Sequence, residues 1–246
     1  MSIKKHIPNI VTLGNLLCGT LATIFAVGGH FEMTALFVAL GIFLDFFDGF
    51  FARIFNVSGE LGKQLDSLAD MVTSGVAPGI VLFVLLGSNQ QTSYEINTEF
   101  KISMGLPLIG LLVTLAACYR LAKFNLDTRQ SESFIGLPTP AMSLFIVSLP
   151  LVQMHTDVNF VKDLIGNNYF LIGITILFSF LMNLEFSLFS LKFKNFGIRE
   201  NLFKYTLILL SIILLMTVKY LSVPIIIMSY ILLSILNNFK KTDIQN

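Results

Sequence analysis

The sequence predicts an all-α, polytopic transmembrane helix bundle with about eight spans and with both termini in the cytoplasm. Of the 246 residues, 54% are hydrophobic and 13% are charged, whereas a soluble domain carries about a quarter charged residues. Eight apolar runs approach the length of about 17–25 residues that a span needs. They lie at about 10–29, 33–53, 71–87, 103–120, 138–154, 168–184, 203–218 and 221–237.

The distribution of positive charge supports this topology. If the N-terminus is cytoplasmic, 13 of the 16 Lys and Arg residues fall inside and three, Lys101, Lys162 and Lys219, fall outside. This asymmetry is what the positive-inside rule expects. We interpret the first run as a retained span and not as a cleaved signal peptide. The net charge of +1 gives no reason to expect a nucleic-acid partner.

Polar residues within the spans are concentrated before residue 141. We therefore predict that residues 1–160 form the catalytic helices. Residues 161–246 are predicted to be C-terminal transmembrane helices that serve packing or dimer contact within the same membrane domain.

Four carboxylates lie in or beside two consecutive spans, although each Asp at a helix centre costs about 2.5–3.5 kcal/mol on insertion. Asp45 and Asp48 are spaced i, i+3, and Asp66 and Asp70 are spaced i, i+4, so each pair shares one helix face. At a rise of about 1.5 Å per residue, all four fall in the cytoplasmic third of the bilayer. Two pairs at one depth can converge.

Converging carboxylates need protons or cations, because like charges disfavour one another's ionised form. Oxygen ligands in this number suit Mg²⁺ or Mn²⁺, and a pair of such ions suits phosphoryl transfer. Gly49 and Gly62 leave room for another helix or for a phosphate. The alternative is that the carboxylates are helix-end charges paired with Lys63 and Arg53.

These residues form a recognisable motif. It resembles the signature of the CDP-alcohol phosphotransferase family, D-x-x-D-G-x-x-A-R-x8-G-x3-D-x3-D, with every specified position present: Asp45, Asp48, Gly49, Ala52, Arg53, Gly62, Asp66 and Asp70. The resemblance implies an enzyme, a CDP-alcohol phosphatidyltransferase, with two divalent ions. It implies that Asp45, Asp48 and Asp66 bind one ion, that Asp45, Asp66 and Asp70 bind the second, and that Asp70 is the general base.

The resemblance also implies where the nucleotide lipid binds. Its predicted contacts are Asn9, Thr12, Gly49, Ala52, Arg53 and Gly62, with Arg53 facing phosphate. The segment from Pro8 to Asn15 resembles the nucleotide-side N-terminal motif of the family. Helix capping is the alternative role for Asn9 and Thr12.

The acceptor is inferred from weaker features. Asn15 stands where members that use glycerol 3-phosphate or inositol phosphate carry Arg, and the segments 120–125 and 134–141 resemble the serine-using branch. Predicted serine contacts are Asn15, Arg120, Lys123 and Asn125. Arg120 and Lys123 could instead be topology determinants that contact lipid phosphate.

The predicted reaction is the transfer of a phosphatidyl group from CDP-diacylglycerol to L-serine, giving phosphatidylserine and CMP. Glycerol 3-phosphate and inositol phosphate are alternative acceptors, and divalent-cation transport is the alternative from another functional class. We expect an integral protein of the inner or plasma membrane with its active site facing the cytoplasm. The resemblance further implies a homodimer.

Overall fold

The computed structural model of the chain describes residues 6–57, 59–88, 105–127, 134–189, 197 and 201–245. These residues form ten α-helices: α1 (Ile7–Val27), α2 (Phe31–Ile54), α3 (Glu60–Asp70), α4 (Ala77–Ser88), α5 (Leu112–Leu126), α6 (Thr139–His155), α7 (Asn159–Ile165), α8 (Asn168–Asn183), α9 (Leu202–Val218) and α10 (Ser222–Gln245). A π-helical segment, two 3₁₀ turns and a pair of strands complete them: Met71–Val76, Leu106–Leu111, Lys219–Leu221, β1 (Phe134–Ile135) and β2 (Ser187–Leu188). The predicted all-α bundle is confirmed.

Five helical segments are long and apolar enough to cross a membrane: Ile7–Val27, Phe31–Ile54, Glu60–Ser88, Leu106–Leu126 and Leu202–Asn238. α7 and α8 reach this length only as a pair bent by 67°, and α6 has 17 residues. The last segment contains α9 and α10, which contact each other and are separated by a turn in which Lys219 has a φ of 46°. Every predicted apolar run overlaps a helix, while the count of eight spans and the cytoplasmic termini stay predictions.

The third helical segment begins earlier than its apolar run at 71–87. It starts at Glu60 after the extended residue Gly59 and continues through the π-helical segment into α4. The first part does not form an apolar run because α3 is strongly amphipathic, with exposed polar residues at Glu60, Lys63 and Gln64. Asp66 and Asp70 therefore lie within one continuous helical segment, as their spacing predicted.

The core is formed mainly by small and branched side chains that let the helices approach closely. α1 packs along α2, and α6 lies among α2, α4 and α10. Fully buried residues at these contacts include Ala22, Ala26, Val38, Ala77 and Ile146. Between α4 and the 3₁₀ turn before α5, a Cβ on Gly110 would lie 2.8 Å from the Phe83 amide nitrogen. Backbones touch at that point, as small residues permit within membranes.

The end of α8 is joined to the segment that precedes α6. β1 and β2 pair antiparallel, with Phe134 opposite Leu188 and Ile135 opposite Ser187. Gly136 has a φ of +74°, and a Cβ there would lie 2.3 Å from the Met182 carbonyl oxygen. Glycine is required at this position both for the backbone conformation and for the close approach. The chain after residue 180 thus contacts the helices that precede residue 160.

α9 and α10 form the periphery. α10 packs on α6, and α9 packs on α10. Among the described residues of α9, Leu207 alone is buried. The remaining surface of α9 is apolar and exposed, at Ile208, Leu209, Ile212 and Ile213. This surface fits contact with lipid chains, while the predicted role of residues 161–246 in packing or dimer contact stays a prediction.

The contact at Gly110 generates a stability prediction. Gly110→Ala should lower the free energy of unfolding by about 1–3 kcal/mol, because a methyl group there displaces the backbone of α4. The measurement is the thermal midpoint of the purified protein in detergent, followed by fluorescence-detected size exclusion. Gly173→Ala in α8 is the matched control, since no atom lies within 4 Å of the added Cβ. Equal midpoints for the two variants would contradict the packing.

Candidate active site

Three carboxylates meet between α2 and α3. One oxygen from each of Asp45, Asp48 and Asp66 lies within 4.8 Å of the other two. Asp48 is 6% exposed, and the other two are half-buried. The i, i+3 spacing places Asp45 and Asp48 on one face of α2. α3 packs against α2 and brings Asp66 close to both of them.

The cluster fits a divalent cation. Asp66 Oδ1 is buried and has no hydrogen-bond partner among the described residues. A buried carboxylate oxygen without a donor is costly, and two further carboxylates beside it add like-charge repulsion. Hard cations such as Mg²⁺ and Mn²⁺ prefer oxygen ligands of this kind. Asp45, Asp48 and Asp66 could therefore hold one ion.

Asp70 lies outside this group of three and is held from α1. Its Oδ1 accepts a hydrogen bond from Asn15 Nδ2 at 3.1 Å. Asn15 is fully buried and also accepts from the Thr73 hydroxyl at 2.8 Å. The charge of Asp70 interacts with that of Arg120 on α5. Asp70 therefore joins the cluster to a second polar region, between α3 and α5.

α1 also contacts the carboxylate cluster directly. The Thr12 hydroxyl donates to Asp48 Oδ2 and lies 3.0 Å from the Pro8 carbonyl oxygen. Thr12 is 3% exposed. A hydroxyl that bonds a predicted metal ligand orients that ligand, so the residue predicted to touch nucleotide also positions Asp48.

A cleft of about 210 Å³ opens beside the cluster, with Asp48 and Asp66 in its lining. Its lining includes five of the six residues predicted to bind the nucleotide lipid, and the sixth, Arg53, is exposed and does not line it. An added Cβ on Gly49 would meet no atom within 4 Å, so this glycine leaves open space at the cleft. The lining residues are Pro8, Asn9, Thr12, Asp48, Gly49, Ala52, Val57, Gly59, Gly62, Lys63 and Asp66.

A second, smaller pocket lies between α5 and the end of α8. Arg120 is 6% exposed; its Nε donates to the Leu137 carbonyl oxygen at 2.8 Å, and its guanidinium lies 5.3 Å from the centre of the Phe124 ring. Lys123 forms an ion pair with Glu185 at 3.3 Å. The pocket lining is Arg120, Lys123, Phe124, Asp127, Ile135, Met182, Asn183 and Leu184.

The four residues predicted to bind serine are not all brought together. Arg120 and Lys123 share the second pocket, but Asn15 lies beside Asp70. The Asn125 side chain donates to Ser67 Oγ at 2.8 Å. Asn125 thus links α5 to α3 outside the lining of that pocket.

Several site contacts come from side chains that sequence analysis did not select. Thr73 bonds Asn15, and Lys63 lines the cleft. Asn183 lines the second pocket, and Glu185 pairs with Lys123 there. Thr73 could have been found, because it lies three residues after Asp70 and so on the same helix face. Asn183 and Glu185 were visible as polar residues in an apolar region, but that region was assigned to packing.

Comparison with known proteins agrees with this geometry. The family model for CDP-alcohol phosphatidyltransferase matches residues 5–181. A CDP-diacylglycerol–serine O-phosphatidyltransferase of Bacillus subtilis is 37% identical over 59% of this chain and 75% of its own length. The enzyme of that name from Helicobacter pylori J99 is 31% identical over 88% of this chain and 84% of its own. An archaetidylserine synthase of Methanothermobacter thermautotrophicus is 27% identical over 62% of this chain and 61% of its own length.

The carboxylate cluster generates a metal-binding prediction. Mn²⁺ titrated into the purified protein and followed by electron paramagnetic resonance should bind, and Asp45→Asn, Asp48→Asn and Asp66→Asn should each weaken its affinity at least about tenfold, because each removes a charged ligand. Asp163→Asn, at an exposed carboxylate of α7, is the control and should leave the affinity unchanged. Unaltered Mn²⁺ affinity in all three site variants would show that the cluster does not bind the cation.

Proposed function

Because the chain belongs to the CDP-alcohol phosphatidyltransferase family, we propose that it transfers the phosphatidyl group of CDP-diacylglycerol to L-serine, giving phosphatidylserine and CMP. The observation that carries the proposal is the meeting of Asp45, Asp48 and Asp66 at the wall of an open cleft. Two relatives at 31–37% identity are named as serine O-phosphatidyltransferases, and this supports serine as the acceptor.

We infer that the site holds two divalent ions, Mg²⁺ or Mn²⁺. Asp45, Asp48 and Asp66 would hold the first, and Asp45, Asp66 and Asp70 the second. Bound cations supply positive charge beside the phosphoryl oxygens, where negative charge increases during transfer. The buried Asp66 oxygen that lacks a donor supports the first position.

The residues of the chain supply binding and proton transfer. The cleft receives the CDP part of the donor, and its glycines leave room for phosphate close to the backbone. Lys63 lines the cleft and its ammonium group donates to the Asn125 main-chain oxygen at 2.6 Å, whereas Arg53 is exposed outside the lining. Asp70 accepts the proton of the acceptor hydroxyl, because an alcohol is too weak an acid to ionise unaided at neutral pH.

The side chains around the second pocket carry charges that suit a zwitterionic acceptor, and the pocket itself, about 10 Å³, has room for about one water molecule and would have to widen to admit such an acceptor. It offers positive charge at Arg120 and Lys123 for a carboxylate, and Glu185 beside Lys123 offers negative charge for an ammonium group. The charge of Arg120, which lines this pocket, interacts with that of Asp70, and this supports an acceptor bound next to the proposed base. Acceptors that carry a phosphate bring no ammonium group, so the arrangement favours serine over glycerol 3-phosphate and inositol phosphate.

We also propose that the site faces the cytoplasm of a cell in whose inner or plasma membrane the protein lies, and that the chain forms a homodimer. The excess of Lys and Arg in the segments assigned to the cytoplasm, 13 of 16, supports the first statement. The resemblance to the family supports the second.

The reaction itself is tested with purified protein, CDP-diacylglycerol and a panel of acceptors, scored by CMP release. Serine should support release, and glycerol 3-phosphate and inositol phosphate should not. EDTA should abolish the activity, and Mg²⁺ or Mn²⁺ should restore it, because the carboxylates of the cluster require a cation. If CMP is released with glycerol 3-phosphate and not with serine, the proposed acceptor is wrong and the proposed class of reaction stands. Full activity in EDTA would overturn the role of the cations.

The acceptor pocket is tested by steady-state kinetics with both substrates varied. Lys123→Gln and Arg120→Gln should raise the serine KM about 10- to 150-fold, which corresponds to about 1.5–3 kcal/mol for a lost charge-assisted hydrogen bond, and should leave the donor KM nearly unchanged. Lys63→Gln should do the reverse, since Lys63 lines the donor cleft. Lys162→Gln on α7 is the control for removal of a lysine. An unchanged serine KM in both pocket variants would place the carboxylate elsewhere.

A further inference from the structure

The side chain of Thr73 lies behind the residue that holds Asp70. Its hydroxyl lies 2.8 Å from Asn15 Oδ1 and 3.1 Å from the Asn15 main-chain oxygen. Asn15 Nδ2 in turn donates to Asp70 at 3.1 Å. Thr73 and Asn15 are both fully buried, so water does not compete for these hydrogen bonds. Hydrogen bonds thus link Thr73 in the π-helical segment before α4 to Asn15 on α1, and Asn15 to Asp70 on α3.

The direction of these hydrogen bonds is determined by chemistry. An ionised carboxylate only accepts, so Asn15 must present its amino group to Asp70 and its carbonyl oxygen to Thr73. The Thr73 hydroxyl donates to that oxygen and thereby favours this orientation of the amide. Without a donor at residue 73, the buried Asn15 oxygen would lose its side-chain partner, and the amide would no longer be held toward Asp70.

Close helix packing keeps Thr73 and Asn15 in place. A Cβ on Gly41 of α2 would lie 2.7 Å from Thr73 Cγ2 and 2.8 Å from Asn15 Oδ1. A Cβ on Gly19 of α1 would lie 2.7 Å from the Thr73 amide nitrogen. Both glycines therefore let α1 and α2 close directly onto these two side chains, which leaves the Asn15 amide little room to rotate.

The backbone that carries Thr73 is held separately. It belongs to the π-helical segment Met71–Val76. π-Helices are rare in proteins, and those that occur often lie at functional sites. The Thr73 carbonyl oxygen lies 3.4 Å from the Ser143 hydroxyl of α6, and the Gly75 carbonyl oxygen accepts from the Thr114 hydroxyl of α5 at 2.9 Å. Hydroxyl groups from two neighbouring helices thus satisfy carbonyl groups of this segment.

We propose that Thr73 is a positioning residue that, through Asn15, holds the Asp70 carboxylate in the orientation in which it accepts the proton of the acceptor alcohol. This proposal rests on the proposed function, in which Asp70 is the general base. Thr73 is fully buried and lines neither pocket, so its loss should affect turnover and not the binding of donor or acceptor. Misplacement of a catalytic group by about 1 Å can lower a rate about 100-fold.

The test compares four variants of the full chain in the CMP-release assay with CDP-diacylglycerol and serine. Thr73→Val keeps the shape of the side chain and removes the donor; Thr73→Ala removes both, and Thr73→Ser keeps the hydroxyl. Thr175→Val is the matched control, because Thr175 is fully buried and donates only within its own helix, to Leu171 at 2.8 Å. Thr73→Val and Thr73→Ala should each lower kcat about 10- to 100-fold, with both KM values within about twofold of wild type. Thr73→Ser and Thr175→Val should stay within about threefold.

The contrary outcomes separate the proposal from its alternatives. A role in packing alone predicts that Thr73→Val stays active while Thr73→Ala loses activity, and that result would overturn the proposal. A rise in the serine KM with unchanged kcat would overturn it too, since Thr73 would then shape the acceptor site. If wild type releases CMP with none of the acceptors, the proposed function itself fails; if wild type is active and Thr73→Val matches Thr175→Val, only the role of Thr73 fails. Should Thr73→Val not fold, the contrast between Thr73→Ala and Thr73→Ser decides the question.

Discussion

Ionised carboxylates among apolar helices are unfavourable unless donors or cations surround them, and this constraint organises one end of the bundle. α1 supplies the donors: Thr12 to Asp48 and Asn15 to Asp70. Asp66 retains a buried oxygen without a donor among the described residues, where a cation could bind. Hydrogen bonds to acidic side chains therefore join α1 to both α2 and α3, in addition to the apolar contacts among these helices.

Donors from α1 can reach the carboxylates only because the helices approach closely. Gly19 and Gly41 bring α1 and α2 against Thr73, and Gly110 brings the start of α5 against α4. In lipid, helix association depends on such packing because apolar side chains gain little by leaving lipid for protein. The same small residues thus support both the stability of the bundle and the arrangement of its polar groups.

Residues after 160 contribute to the second pocket and contact the segment before α6. The strand pair and Gly136 attach the end of α8 to the segment before α6. This attachment places Asn183 at the second pocket and Glu185 beside Lys123, and the family match itself extends to residue 181. α9 and α10 lie at the periphery of the described helices. The division at residue 160 stays a prediction.

The sequence alone was sufficient to predict the helical bundle and the pairing of Asp45 with Asp48 and of Asp66 with Asp70, because periodicity along a helix determines which residues share a face and a depth. The resemblance to the family, which rests on the motif residues, predicted five residues that line the cleft. Spacing within a helix does not determine what lies opposite that face. Only tertiary packing decided that Asp70 accepts a hydrogen bond from Asn15, that Arg53 lies outside the cleft, and that Asn125 bonds Ser67. Those outcomes depend on the distances and rotations between helices, which are set by contacts such as Gly41 with Thr73 that join residues far apart in the chain.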